Sequence, residues 1–474
     1  MAKLIIIMTK KLFSFILFNI FTISFSQNVN IPDSYFKELL VWINVNNYYA
    51  KDLNGQYTKV DINGDGEIQV SEAENISYLS TAYEFNLTDI TGIEAFKNLT
   101  ELNIEQTTKL KNLALSNNTK LKKIKGLYNQ ALESIDIKNC VSLEDLDLLS
   151  TKINSIDLSQ NINLKNLVIT GNFNSLDLSK NILLEKIRIG SDNLTSLNLN
   201  NCNKLAQIRI DSDNLNEFNF SILQGLDKVD FINTKIASAD FIYSPVSEIY
   251  FENPVINLNS LKLPEQNSNL KFLFMSKSSI NNIDLTNSLN LESFYFSSDI
   301  ISNLDFSKNV KLKNIVISNS NLITTINTSY NTNLETFNIF RLPNLTSISI
   351  KNGKQQTFGE GFLECPKLNY VCCDESEKAY FEAKNIQTVV TDCLLSTQEN
   401  NFSIDFKIYP NPSSDYLNFN HKVEYVKIFD IQGKLVLNRK INSNNLNVSE
   451  LKNGVYILEA FSENQKISQK FIKK

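Results

Sequence analysis

The chain has 474 residues, with 46 Lys and Arg against 51 Asp and Glu and a formal net charge of −5. That length exceeds one compact core and implies several domains. No run of like charge offers a nucleic-acid arm or a polybasic membrane patch, and only 8 prolines and 13 glycines interrupt a chain rich in Asn, Leu, Ile and Ser.

Residues 1–26 read as a signal peptide. Lys10 and Lys11 precede the apolar run from Leu12 to Ile23, and Ser24, Phe25 and Ser26 predict cleavage before Gln27. About twelve apolar residues fall short of a bilayer core of ~30 Å, and no later segment is long enough to span it, so no transmembrane helix is expected in the mature protein.

Residues 27–86 form an N-terminal cap, with a short amphipathic helix expected over Pro32 to Trp42. Within it, Asp61, Asn63 and Asp65 place oxygen donors at alternate positions, and Gly66 supplies a sharp turn. Glu67 offers its backbone carbonyl, Gln69 sits where a water-mediated contact is usual, and Glu72 closes the set with both carboxylate oxygens. A hard cation taking six to eight oxygens needs such a set, and the spacing resembles the EF-hand-type calcium loop over residues 61–72. Calcium is the expected cofactor, ordering the cap that covers the first turn of the repeats.

Residues 87–373 repeat. An apolar-x-x-apolar-x-apolar-x-x-Asn/Cys-x-x-Leu pattern fits Leu110, Leu113, Leu115, Asn118 and Leu121, then Leu132, Ile135, Ile137, Cys140 and Leu143, and continues in phase. The second anchors step by 20 to 22 residues from Leu113 through Ile348. Each turn exposes one apolar edge that only a neighbouring turn can cover, so the turns stack into one core. A buried Asn or Cys at the fixed position can bond backbone groups where the chain bends. The pattern resembles the leucine-rich-repeat family, with departures at Leu223, Ser244, Gln266, Ser288 and Gly353. A second strand-like half in each turn (Leu184, Ile187 and Ile189, for example) predicts two narrow parallel sheets and little helix.

Residues 374–405 read as a cysteine-containing C-terminal cap and linker. Cys365, Cys372, Cys373 and Cys393 crowd together, and a Cys373–Cys393 bridge is expected to fasten the last turn. Cys140 and Cys202 are expected to be buried thiols. From residue 406 the pattern changes to short alternating strands, predicting a small antiparallel β-sandwich. Tyr409, Pro410, Asn411 and Pro412, the turn at Gly433, the run Leu451 to Tyr456 and the basic end resemble the type A sorting domain of the type IX secretion system. The resemblance implies export across both membranes of a Gram-negative bacterium, with release or surface attachment, through the type IX machinery.

Chemistry is sparse. The single histidine, His421, lies in the sorting module, so the repeats hold no Ser/His/Asp triad and no histidine-bound zinc. One column of carboxylates and amides lies between the paired anchors: Asp136, Asp157, Asp177, Asn198, Asn219, Asp240, Lys262, Asp284, Asp305 and Asn327. Mutual repulsion would raise the proton affinity of some members, the requirement of a paired-carboxylate glycosidase, although solvation and turn bonding explain the same residues. The second half-repeat aligns Arg188, Arg209, Asp230, Tyr250, Phe274, Tyr295 and Val316, the composition of an interaction hot spot.

The sequence therefore describes a mainly β protein: a leucine-rich-repeat solenoid of about twelve to thirteen turns with a small helical N-terminal cap and a C-terminal antiparallel β-sandwich. Its expected role is non-enzymatic, as a secreted or cell-surface protein for adhesion or capture of a protein or glycan. A carbohydrate-active enzyme and a structural surface-coat component are the alternatives.

Overall fold

The computed structural model describes residues 27–252, 258–265, 268–359, 364–393, 407–430, 434–462 and 465–474. The signal peptide, ladder residue Gln266, the 394–405 linker and the turn at Gly433 lie outside the described residues. The chain divides into two units, Met1–Cys393 and Leu394–Lys474.

The first unit is the solenoid. Its main sheet has fourteen strands, all parallel except the first, Ala50–Asp52, which runs antiparallel to Ile76–Ser80. Inward residues of successive strands, such as Ile187, Ile208, Val229 and Ile249, stack in register and are buried. The opposite side carries three-residue strands joined in pairs, a four-stranded sheet ending at Thr388–Val390, and no strand at the turns of Ile156, Phe218, Ile283 and Leu304. The continuous sheet is thus built by the second half of each repeat, not by the segment bearing the asparagine pattern. The cause is local. On the short side Asp157, Asp177 and Asp305 accept the backbone N–H two residues on, from Ser159, Ser179 and Ser307. Such turns compete with ladder pairing and stop the strand.

The fixed polar position does what its spacing predicts. Asn161 Nδ2 donates to the carbonyls of Ile137 and Cys140, and Asn309 and Asn331 repeat the geometry further along. The Oδ1 atoms of these three accept no hydrogen bond in the structure. The rung therefore works as a donor, which is why a thiol can stand in: Cys140 Sγ lies 3.3 Å from the Leu115 carbonyl and Cys202 Sγ 3.3 Å from that of Leu178. Burial pushes the Cys140 thiol up to about 12 and that of Cys202 to about 11. Both are free and buried, as expected.

A second ladder, in phase with the repeat but built from varied polar residues, lies at the exit of the main sheet. Thr107, Asn129, Ser191, Ser212 and Ser298 donate side-chain hydrogen bonds to the carbonyls of Ile104, Ile104, Phe173, Leu194 and Ile280. At the same corner Tyr83, Gln106, Tyr128, Asn319 and Arg341 hold φ between 53° and 68°. Left-handed backbone at a residue with a Cβ costs roughly 1–2 kcal/mol. Bonds such as Gln106 N–H to the Leu127 carbonyl (2.8 Å) hold that conformation in place.

At the N-terminal end helix α1, Ser34–Trp42, is capped by Asp33, whose Oδ1 accepts the Phe36 N–H. It buries Phe36, Leu39 and Leu40. The neighbouring segment crosses Gly92, where a Cβ would meet the Asn30 carbonyl oxygen at 3.0 Å and Ile31 Cγ1 at 2.8 Å.

At the other end Cys372, not Cys373, pairs with Cys393. Side chains alternate along the Tyr370–Cys372 strand. Val371 and Cys373 turn into the core, while Cys372 faces Cys393, with Cα atoms 5.7 Å apart. The inward orientation of Cys373 removes it from the expected bridge. Helix α2, Glu375–Glu382, closes the last turn, and its cap Asp374 accepts the N–H groups of Asn352 and Gly353 through Oδ2.

The second unit is one antiparallel sheet of five strands instead of two facing sheets. Its long strand Tyr416–Phe429 pairs on both sides and shifts register between Asn418 and Tyr425, where β-bulges let a single sheet enclose its own core of Leu417, Phe419, Val426, Leu458 and Phe471. No described helix is long and apolar enough to cross a membrane.

Candidate functional site

The main sheet presents one continuous outward face. Pairing places Arg188 beside Arg209, then Asp230, Tyr250, Phe274, Tyr295 and Val316, one per strand. The column predicted from the sequence is therefore contiguous. Arg209 Nη1 closes a 2.5 Å ion pair with Asp230 Oδ2. The Tyr250 and Phe274 rings stack with centroids 4.2 Å apart and planes 10° apart. Tyr295 lies 6.1 Å from Phe274. Phe272, not among the column residues expected from the repeat, joins the cluster 5.5 Å from Tyr295 because residues two apart on a strand share a face. Burial and a 2.6 Å hydrogen bond to Glu252 push the Tyr250 phenol up to about 12. It stays a neutral donor at physiological pH.

The acidic column on the opposite side is held by local turn bonding. Four of its carboxylates lie below their ordinary values. Asp157 and Asp284 are lowered first by the hydroxyls, then by the backbone N–H groups, of Ser159 and Thr286. Asp177 and Asp305 are lowered first by the N–H groups, then the hydroxyls, of Ser179 and Ser307. Asp240 is paired with Lys262 at 3.0 Å. A general acid needs the opposite shift, which Asp157, Asp177, Asp284 and Asp305 do not show.

In the cap the loop folds around its own oxygens. Gly64 and Gly66 take φ of 74° and 81°, and their N–H groups donate to Asp61 Oδ1 (2.7 Å) and Oδ2 (3.0 Å). Glu72 accepts the N–H of Ile62 on Oε1 (2.8 Å) and that of Gln69 on Oε2 (2.9 Å). Asp65 Oδ1 accepts the Glu67 N–H, and its Oδ2 accepts amide protons from Asn63 and Gln69. The Glu67 N–H, then the side-chain amides, hold the Asp65 carboxyl below its ordinary value. Among the described residues no three His, Cys, Asp or Glu side chains converge into a ready metal cluster. The donor set here is mixed instead: three carboxylates, two amides and a backbone carbonyl. Both Asp61 oxygens and Glu72 Oε2 keep a lone pair after accepting one N–H, and turning the Asn63 and Gln69 amides would free the Asp65 carboxylate and present two more oxygens. The chemistry of the set fits a hard divalent cation. The loop is also tied to the cap, because Lys37 of α1 pairs with Glu67 at 2.6 Å and Val29 N–H donates to the Ile68 carbonyl at 2.7 Å.

A further exposed cluster has no signature in the sequence. Trp42 packs edge-on against Tyr49 (5.6 Å), Tyr48 packs against Tyr57 (4.8 Å), and Lys51 Nζ lies over the Tyr57 and Tyr78 rings. Its members come from the cap helix, a loop and two strands, so no single spacing reveals it.

Comparison with known proteins gives two results. Residues 407–474 match the family model described as the secretion system C-terminal sorting domain. No curated protein matches the chain. Among solved structures, the functional domain of InlJ from Listeria monocytogenes, described as including a cysteine ladder, aligns at a TM-score of 0.51 and 17% identity, covering 94% of this chain and 98% of that one. An internalin (InlF) from the same organism aligns at 0.48 and 17%, covering 74% and 98%. Residues up to Cys393 thus have the leucine-rich-repeat solenoid fold, and the chain ends in a segment similar to the secretion sorting domains.

Proposed function

We propose that the protein is a non-enzymatic binding protein of the bacterial surface, exported through the type IX secretion machinery by residues 406–474 and used for adhesion or capture of a protein or glycan. The observation that carries this reading is the in-register column Arg188, Arg209, Asp230, Tyr250, Phe274 and Tyr295 on a rigid sheet face. It combines the residue types that dominate binding hot spots. The sorting segment supports display outside the cell.

Calcium in the 61–72 loop, held by Asp61, Asn63, Asp65, the Glu67 carbonyl, Glu72 and, through water, Gln69, serves this role by fixing the cap, not by contacting the ligand. A binding screen of the secreted chain against surface proteins and glycans tests the reading. Tyr250→Ala combined with Tyr295→Ala should abolish any hit that uses the main sheet. Hits that survive the double substitution would remove this face as the binding surface.

A further inference from the structure

The depression in the binding face is lined by four cations, Lys186, Arg188, Arg209 and Lys228, against two carboxylates, Asp230 and Glu248. Lys186 and Arg188 point outward from the same strand, and Arg209 lies beside Arg188 in register. Their charged neighbours are bonded internally, two of the cations in ion pairs and three of the carboxylates by neutral donors. Arg209 pairs with Asp230, and Lys228 pairs with Glu248 at 2.6 Å. Asp211 accepts from Asn233 Nδ2 at 2.8 Å, and Glu252 accepts from the Tyr250 hydroxyl. Asp147, two strands from Arg188 across Val168, accepts the Leu149 N–H. Lys186 and Arg188 alone in this group close no ion pair or hydrogen bond among the described residues.

A depression of about 340 Å³ runs from these two cations past Arg209, Lys228 and Asp230 to Tyr250 and Phe272. Its aromatic end has a specific geometry. Tyr250 and Phe274 turn their faces toward each other and present edges outward. Sugars and bases stack on open ring faces, and the pairing closes one face of each ring to them, whereas an apolar side chain packs on edges as well as faces. At the other end an arginine fork beside a lysine suits a carboxylate. Strands repeat every ~4.8 Å, so the three steps from Arg188 to Tyr250 span about 14 Å, the reach of about four extended residues.

We propose that this face binds an extended acidic peptide segment of a partner protein. A carboxylate meets Arg188 and Lys186, and an apolar side chain about four residues away packs against Tyr250, Phe272 and Phe274. The assignment rests on the main-sheet face being the binding surface and names the chemistry of its partner.

The probe is an immobilised random copolymer of glutamate and tyrosine, compared with polyglutamate, a lysine–tyrosine copolymer and polygalacturonate, each presented to the full secreted chain. The glutamate–tyrosine polymer should bind most tightly, with binding that weakens as salt rises, and the lysine–tyrosine polymer should not bind. Lys186→Glu combined with Arg188→Glu should weaken binding about tenfold or more, while Lys123→Glu, on the same face further toward the N-terminus, should leave it unchanged. The outward slot of Arg188 is filled by Asp147, Val168 and Asp230 in other turns, so the double variant should keep its thermal midpoint. No binding of the glutamate–tyrosine polymer, or equal binding by the double variant, overturns the assignment. Equal binding of polygalacturonate, lost with the same two substitutions, overturns it in favour of an acidic glycan. If Tyr250→Ala with Phe274→Ala weakens binding while the charge variant does not, the face still binds but its acidic partner is wrong.

Discussion

The Asn181 side-chain amide donates to the backbone carbonyl of Asn161, 2.9 Å away and twenty residues earlier in the chain. One rung thus spans the gap between two turns and also satisfies the Leu158 carbonyl. Replacing Asn181 with Leu removes one of the two donors at each carbonyl, leaving the Asn161 N–H on Leu158 and the Leu164 N–H on Asn161. The expected loss is about 1–3 kcal/mol of stability for two hydrogen bonds, read as a lower denaturation midpoint. An unchanged midpoint would mean that the rung is ornamental.

Because the Oδ1 of a rung asparagine is unpartnered, a cysteine there lacks only donor strength. Cys140→Asn supplies two amide N–H groups where one weak S–H stands and should stabilise the chain by roughly 1 kcal/mol. A lower melting temperature for this variant would contradict the donor-only account.

Calcium should raise the thermal stability of the cap. Saturation at a hundredfold excess over the dissociation constant corresponds to about 2.7 kcal/mol. Asp65→Ala should lose calorimetric calcium uptake while keeping α1 folded, since Asp33 and Phe36, not the loop, cap that helix. Undiminished uptake would locate the ion elsewhere.

Glu377 gives the C-terminal cap a pH response. Burial raises its carboxyl to about 7 from 4.5, against the partial offset of the Gln356 and Asp374 N–H bonds. A carboxyl whose folded value is raised contributes stability that is complete below about 4.5 and is lost as pH climbs through about 7. Hydrogen exchange across Glu375–Glu382 should therefore be slower at pH 5 than at pH 8 after correction for intrinsic rates. Glu377→Gln should flatten the difference.

Reducing the Cys372–Cys393 bond, or Cys393→Ala, should expose the cap helix to protease while sparing the repeats. A closed loop of 21 residues suggests about 3 kcal/mol of local stabilisation. Cleavage that begins instead near Cys140 would contradict this arrangement.

The repeat was legible because apolar anchors and rung residues recur at one spacing, and burial leaves them little choice. The column from Arg188 to Tyr295 was legible for the same reason: phase plus strand alternation fixes neighbours. Other features carried a weaker signal. Thr107, Asn129, Ser191 and Ser212 keep the period, but their varied residue types read as ordinary loop polarity until the bend places each over a carbonyl of its own or the preceding turn. Tyr128 and Arg341 adopt left-handed backbone that their side chains give no reason to expect. The bridge partner of Cys393 depended on which of two adjacent cysteines faces inward, a difference of one residue in strand phase.

Between Cys202 and Asn309 the amide rungs lapse, and rings take over. Phe220 sits within 4.8 to 6.4 Å of Phe231, Phe241 and Phe251, and Phe294 packs on Phe306 at 5.2 Å. Ring contacts are slippery where rungs are directional, so this stretch is a joint in an otherwise ratcheted column. Pulled from its ends, the molecule should part there first and extend in two separate force steps, each half keeping its own hydrogen-bonded spine.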